Sequence, residues 1–207
     1  MRYLYIDTSS SYLYTAIVED NSIIAEIKKD YGQKLSEKAL PEIVSMFDEN
    51  SLTAKDIDKI IVVSGPGSFT GIRIGITIAK VYAWSLKIPI TSISSIEAMM
   101  ISSDADTYKV PMLDARRKYV YTGIYDKNNN VIHEPSYIKL EDINNELKEL
   151  DNYTIISNDK ITGFDNIEKY DPNILKIVET YKDRKNINPH AINPEYLKLT
   201  EAEESKL

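Results

Sequence analysis

The stretch from Lys59 to Gly75 reads KIIVVSGPGSFTGIRIG and carries the main clue to the fold. Its first six residues form an apolar run that predicts a strand covered on both faces. The glycine-rich turn Gly65 to Gly71 follows, and helical spacing then predicts a helix from about Thr70 to Lys87. A buried strand that passes directly into a helix indicates an α/β protein.

The glycine-rich turn has two interpretations. Its backbone N–H groups could approach an anion at the helix N-terminus. Alternatively, Gly65 and Gly67 make the turn while Gly71 allows close packing. It is not a Walker A loop, because no Lys-Ser/Thr pair follows the last glycine. The spacing alone leaves both interpretations open.

The helix after this turn is apolar or small around most of its circumference, although about a third of the circumference is enough to line one core. It is therefore either internal or covered by a partner, and we favour a partner. Small residues four apart form a smooth stripe that another helix could approach closely. We predict that the partner interface comprises this stripe, its neighbours and the preceding helix: Gly71, Ile72, Gly75, Ile76, Ala79, Ala83, Ala39 and Ile43.

The order of elements in the first half recurs in the second half. A strand ends at Asp7 and another at Asp114, and each is followed by a hairpin. The hairpins are predicted over Tyr12 to Glu19 with Ile23 to Lys29, and over Tyr119 to Tyr125 with Val131 to Lys139. This duplication predicts two related lobes, each a mixed sheet flanked by helices. We place them at residues 1–103 and 104–207, with the last residues packing back on the first lobe.

The sequence contains few candidate residues for catalysis or for ligand and metal binding. Asp7 and Asp114, with Thr8 and Ser9, could be remnants of a site for nucleotide phosphates and a hydrated Mg²⁺. The glycines that would let the backbone wrap phosphates are missing, so both aspartates could instead cap turns. There is no cysteine, and the two histidines, His133 and His190, are scattered and predicted to lie at the surface. No catalytic residue and no metal ligand is predicted.

The composition argues against two further classes, proteins that bind nucleic acid alone and proteins that span a membrane. The net charge of the 207 residues is −7, whereas a protein that binds nucleic acid alone usually has a basic excess. Apolar runs long enough to cross a membrane are missing. We therefore expect a soluble cytoplasmic protein.

Several short motifs, in this order, resemble the TsaB (YeaZ) family over essentially the whole chain. The glycine-rich motif is the specific one, and the others are individually weak. They are IDTS at Ile6, LSE at Leu35 with LP at Leu40, GPGSFTGIRIG at Gly65, SSIEA at Ser94, DAR at Asp114 with VY at Val120, and PEYL at Pro194.

This resemblance implies an actin/Hsp70-like (ASKHA) fold and a non-catalytic subunit. Its implied partners are a TsaD-type catalytic paralogue and a TsaE-type ATPase, with tRNA contacted indirectly through the complex. The implied reaction transfers threonylcarbamoyl to the adenosine next to the anticodon in tRNAs reading codons that begin with A. ATP or ADP would be bound in that complex and not by the isolated chain. Ser95 and Met99 stand where the TsaD-like relative carries its metal-binding histidines.

Two alternatives stay open. One is a stand-alone ATP-dependent enzyme or peptidase of the same superfold, which would need a working phosphate site or a catalytic set. The other is a homodimer that uses the apolar helix as its own interface.

Overall fold

A computed structural model describes residues 1–198, which divide into two compact units. Met1–Ala98 and Pro172–Glu195 form the first unit, and Met99–Asp171 with the described residues after Glu195 forms the second. The five helices within residues 1–198 are α1 (Leu35–Glu49), α2 (Phe69–Leu86), α3 (Ser95–Ser102), α4 (Leu140–Leu147) and α5 (Ile174–Tyr181).

The first unit is built on a mixed five-stranded sheet of order β3-β2-β1-β4-β5. Antiparallel pairing joins β1 to β2 and β2 to β3, and parallel pairing joins β1 to β4 and β4 to β5. The tight turn of the hairpin uses Asp20 and Asn21 with φ of 43° and 69°, which these residue types tolerate. The strands are β1 (Arg2–Asp7), β2 (Tyr12–Glu19), β3 (Ser22–Asp30), β4 (Lys59–Val63) and β5 (Ile90–Ile93).

Helices cover both faces of this sheet. Leu4, Ile6 and Ile60 pack in one core with residues of α1 and α2. The alternate residues of these strands point to the other face, where α5 contacts β1 and β2. Consecutive residues of β1 and β4 are therefore buried, as the apolar run of β4 predicts.

The second unit repeats the strand plan of the first. Its sheet has the order β10-β9-β6-β7-β8, with β6 antiparallel to β7, β7 antiparallel to β8, and β9 parallel to both β6 and β10. The helix α4 stands between the third and fourth strands, as α1 does in the first unit, so the predicted duplication is confirmed. The strands are β6 (Tyr108–Asp114), β7 (Tyr119–Tyr125), β8 (Val131–Lys139), β9 (Tyr153–Ser157) and β10 (Ile167–Lys169).

One element of the plan is missing from the second unit. The first unit places α2 between its fourth and fifth strands, whereas residues 158–166 connect β9 to β10 without a helix. The opening strand-turn-helix stretch therefore has no counterpart there.

The predicted division into residues 1–103 and 104–207 differs from the observed one, because Pro172–Glu195 belongs to the first unit. Polar contacts hold this segment beside the sheet. The buried Lys59 ammonium donates to the carbonyls of Lys182 and Arg184, at 2.7 Å each, where α5 ends. Arg184 also forms an ion pair with Glu97. The last residues are predicted to pack back on the first lobe, but residues 199–207 lie outside the described part of the chain.

The start of α2 packs directly on the turn after β1. The Thr8 hydroxyl donates to the Gly71 carbonyl at 2.6 Å and accepts from the Gly75 N–H at 3.0 Å. A Cβ atom at Gly71 would overlap the Thr8 carbonyl, and one at Gly75 would overlap the Thr8 hydroxyl oxygen. The Ser68 N–H donates to the Ser9 carbonyl at 2.6 Å. The glycines thus permit close packing, which is the second interpretation of the turn.

This packing predicts the effect of a single methyl group. We expect Gly75→Ala to lower the free energy of unfolding by about 1–3 kcal/mol, because α2 and the turn must separate to admit Cβ. Thr77→Ala is the control, since Thr77 lies on the exposed side of the same helix. Urea unfolding followed by circular dichroism measures both. Equal stability of the two variants would contradict the proposed contact.

Candidate partner-binding site

The structure contradicts the predicted partner interface. All eight of its residues are buried within the first unit, and they belong to its core and to the contact with Thr8. The reason is steric: small residues let α2 approach β1 and its turn, so the smooth side of the helix faces inward. The residues are Gly71, Ile72, Gly75, Ile76, Ala79, Ala83, Ala39 and Ile43.

The opposite side of α2 carries the exposed apolar residues. Phe69, Val81 and Trp84 are 57%, 56% and 65% exposed. With Arg73 and Thr77 between them, they recur at steps of three or four residues and so form one stripe along the helix. The Arg73 guanidinium lies over the Phe69 ring, 3.7 Å from its centroid. An indole and a phenyl ring are thus held at the surface of a helix.

The neighbouring helix extends this surface. Leu40 and Val44 of α1 are exposed and lie one helical turn apart. Phe47 of α1 meets Tyr82 of α2 edge to face, with ring centroids 6.5 Å apart, so the two helices pack side by side. We call the exposed apolar residues Leu40, Val44, Phe69, Val81 and Trp84 the α1–α2 face. Large apolar residues grouped on one side of a domain are typical of a binding surface.

The two predicted phosphate-site aspartates close equivalent turns. Asp7 Oδ1 accepts the Ser9 N–H at 2.8 Å, and Asp114 Oδ1 accepts the Arg116 N–H at 2.9 Å. Each carboxylate thus bonds the backbone two residues further on, which is an Asx turn. The turn-capping alternative therefore describes both residues.

The surroundings of the two aspartates differ. Asp7 is buried, and burial raises the pKa of its carboxyl, while hydrogen bonds from Ser9 and Tyr5 oppose that rise. Thr8 and Ser9 are also buried, and the Thr8 hydroxyl is engaged by α2. Asp114 is exposed and belongs to the other unit. Phosphate binding at these residues stays a prediction.

Ser95 and Met99, which the resemblance places at the positions of the relative's metal-binding histidines, are both buried. The Ser95 hydroxyl donates to the Pro66 carbonyl at 2.5 Å, and Met99 is buried. In residues 1–198, no group of three or more histidine, aspartate or glutamate side chains is placed to hold a metal ion.

The histidines have different surroundings. His190 is exposed, and its ring meets the Trp84 indole at 6.1 Å between centroids. His133 is half-buried, with Nδ1 2.9 Å from Glu146 Oε2 and Nε2 2.9 Å from Ser136 Oγ. This serine-histidine-carboxylate connectivity resembles that of a nucleophile, its base and an orienting acid. The sequence did not indicate it, because the three residues follow no known motif.

Within residues 1–198, no helix is both long enough and apolar enough to cross a bilayer.

The repeated strand plan, with helices on the sheets and an aspartate turn after the first strand of each, defines a two-lobed actin/Hsp70-like (ASKHA) α/β protein. The model of the TsaD family, tRNA N6-adenosine threonylcarbamoyltransferase, matches residues 21–168. The tRNA threonylcarbamoyladenosine biosynthesis protein TsaB of Bacillus subtilis (strain 168) is 33% identical, over 98% of this chain and 96% of that protein. The chain therefore belongs to the TsaB family, and the resemblance seen in its motifs is confirmed.

Solved structures agree with this fold. YeaZ from Pseudomonas aeruginosa superposes with a TM-score of 0.74 at 17% identity, covering 95% of this chain and 100% of that one. A second Pseudomonas aeruginosa structure, of an uncharacterized protein with similarity to peptidase YEAZ, gives a TM-score of 0.75 at 17% identity, covering 95% and 99%. At such identities the likeness shows the shared fold.

Burial of Asp7 predicts a pH-dependent stability. A carboxyl whose pKa is raised in the folded state favours folding at low pH, and this contribution is lost as the pH rises through the folded pKa. Asn cannot ionise, yet its side-chain oxygen can still accept the Ser9 N–H. We expect Asp7→Asn to be more stable than wild type at neutral pH, with the difference vanishing below the ordinary carboxyl pKa of about 3.9.

Urea unfolding between about pH 3 and pH 8 measures this difference. Asp114→Asn is the control, because it preserves the same turn at an exposed position. A gain from Asp7→Asn that does not change with pH would contradict the explanation.

Proposed function

We propose that this chain is a non-catalytic subunit that binds a TsaD-type catalytic paralogue through the α1–α2 face. With a TsaE-type ATPase, the complex would transfer threonylcarbamoyl to the adenosine next to the anticodon in tRNAs reading codons that begin with A. The observation that carries the proposal is the exposure of Trp84, Val81 and Phe69 on a helix whose other side is fully used by the core.

The chemistry of this face suits a protein partner. Tryptophan and arginine are enriched among the residues that contribute most to protein interfaces. Trp84 and Arg73 stand on one stripe, and Leu40 and Val44 add aliphatic surface on the adjacent helix. A paralogue of the same fold could present two equivalent helices, so that four helices pack together. Burial of these side chains would provide the hydrophobic driving force.

The first unit also supports the non-catalytic role. The backbone turn that could wrap a phosphate is packed against α2, since Thr8 and Ser9 bond Gly71, Gly75 and Ser68. A nucleotide phosphate would have to displace these contacts. ATP or ADP is therefore expected in the complex rather than on this turn. The net charge of −7 favours indirect contact with tRNA through the other subunits.

Charge placed on the α1–α2 face should abolish partner binding. We expect Trp84→Glu and Val81→Glu each to weaken TsaD binding at least about 100-fold, since each removes apolar contact and buries a carboxylate without a partner. Circular dichroism should stay unchanged, because both residues are exposed. Calorimetry measures binding, and reconstituted tRNA modification should fall in parallel.

Ile132→Glu is the matched control, as it introduces the same charge at an exposed aliphatic residue of β8. Folded Trp84→Glu and Val81→Glu proteins that bind TsaD normally would contradict the proposed interface. Loss of self-association with unchanged TsaD binding would instead favour the homodimer alternative. Sedimentation of the isolated chain distinguishes these results.

The contacts of His133 justify testing the peptidase alternative. In a serine-protease triad the acid is buried beside histidine, whereas the Glu146 side chain is 44% exposed. A solvated carboxylate holds the imidazole weakly, so we expect these bonds to tie β8 to α4 without activating Ser136. A fluorophosphonate probe should give no labelling above that of Ser136→Ala. Labelling that both Ser136→Ala and His133→Ala remove would establish a hydrolase.

A further inference from the structure

Trp84, the most exposed side chain of the α1–α2 face, is supported by a residue from a distant part of the chain. The His190 ring meets the Trp84 indole at an interplanar angle of 66°, with 6.1 Å between the ring centroids. Edge-to-face ring pairs at such separations are attractive beyond the area that they bury. The indole is therefore held on one side, although most of its surface is open to solvent.

His190 belongs to a short segment beside α2, residues 187–193, which we call the strap. At its start, the Ile187 N–H donates to the Ile90 carbonyl of β5 at 2.8 Å. Toward its end, Ile192 is buried in the same core as α1 and α2. The strap is thus fixed to the first unit on both sides of His190.

A lysine of α2 holds the strap between these two anchors. The Lys80 ammonium donates to the Ile192 carbonyl at 2.9 Å and to the His190 carbonyl at 3.4 Å. Lys80 and Trp84 are four residues apart, so they are neighbours on the surface of the helix. The ammonium therefore fixes the backbone that carries the imidazole, one helical turn from the indole that the imidazole contacts.

Support of this kind has a consequence for binding. A side chain that is already ordered in the free protein loses less conformational entropy when a partner covers it. Tryptophan is among the residue types that contribute most to protein interfaces, so the order of its side chain affects affinity strongly. The contacts of Trp84 with the strap therefore bear on partner binding even though the strap is not part of α1 or α2.

We propose that His190 and Lys80 are positioning residues for partner binding, which hold Trp84 in the orientation in which it meets the partner. The inference rests on the proposed contact with a TsaD-type paralogue, and it makes that contact depend on a third segment. His190 acts on the indole through its ring, whereas Lys80 acts through the backbone of the strap.

The first test uses fluorescence of the isolated chain. Trp84 is the only tryptophan in the sequence, so its emission reports on this contact alone. We expect His190→Ala and Lys80→Met each to lower the fluorescence anisotropy of Trp84, because the indole gains freedom of rotation. Sedimentation confirms that the size of the protein is unchanged. His190→Phe should keep the wild-type anisotropy, since a phenyl ring can replace the imidazole. His133→Ala removes the other histidine and is the matched control.

The second test is calorimetry with TsaD. We expect His190→Ala and Lys80→Met each to weaken TsaD binding about three- to tenfold, the cost of ordering one large side chain on binding. His190→Phe and His133→Ala should bind like wild type. On a Trp84→Ala background, neither His190→Ala nor Lys80→Met should weaken binding further, because the side chain that they position is missing.

The possible results separate this inference from the proposed function. Wild-type anisotropy in His190→Ala would overturn the inference before TsaD is added. Normal TsaD binding by His190→Ala and Lys80→Met, while Trp84→Glu abolishes binding, would overturn it and leave the proposed function intact. Losses that add to that of Trp84→Ala would assign the two residues a contact of their own and overturn the positioning role. Normal binding by Trp84→Glu would overturn both proposals.

Discussion

The close approach of Thr8 to Gly71 and Gly75 determines how the first unit is arranged. A single hydroxyl, that of Thr8, bonds the backbone of the first two turns of α2, and only glycine at both positions leaves room for the Thr8 carbonyl and hydroxyl. This contact sets which side of α2 faces the sheet. It therefore also sets which side faces solvent, and the exposure of Phe69, Val81 and Trp84 follows from it. The proposed partner surface is thus a consequence of internal packing.

The same constraint makes the two units differ in the space that they leave open beside the sheet. Both sheets have an aspartate turn after their first strand. In the first unit, the space beyond that turn is occupied by the glycine-rich segment and α2. In the second unit no helix connects β9 to β10, and a cavity lined by Arg117, Lys118, Lys139 and Lys160 lies at the corresponding edge. One strand plan thereby yields an edge that a helix fills in the first unit and an open edge lined with cations in the second.

Polar contacts connect parts of the first unit that lie far apart in the sequence. The ammonium of Lys59 can be buried because two carbonyls at the end of α5 accept hydrogen bonds from it. Arg184 pairs with Glu97, and the Glu97 carboxylate also accepts the Ser94 N–H at 2.8 Å at the start of α3. Removing either carbonyl contact of Lys59 would leave part of the hydrogen-bonding capacity of a buried ammonium unused, which costs more than the lost bond. The segment Pro172–Glu195 is therefore as much part of the first unit as β1.

The sequence alone determined the class of fold and the family. The strand ranges predicted for the two hairpins reproduced β2, β7 and β8, because runs of strand-forming residues bounded by turn residues can be recognised from the sequence. The short strand β10 carries too little pattern and was not predicted. The ordered motifs around the glycine-rich turn identified the TsaB family, which the comparison with the Bacillus subtilis protein confirms.

Only the tertiary structure decided the orientation of α2. A helix that is apolar around most of its circumference has no polar side to mark the solvent, so the stripe of small residues could equally face a partner or the core. Thr8 resolves this, and it lies more than sixty residues away in the chain. The cavity in the second unit was likewise not predictable, because the cations that line it, Arg117, Lys139 and Lys160, come from three separate segments. Periodicity describes one element at a time, whereas these sites depend on which elements meet.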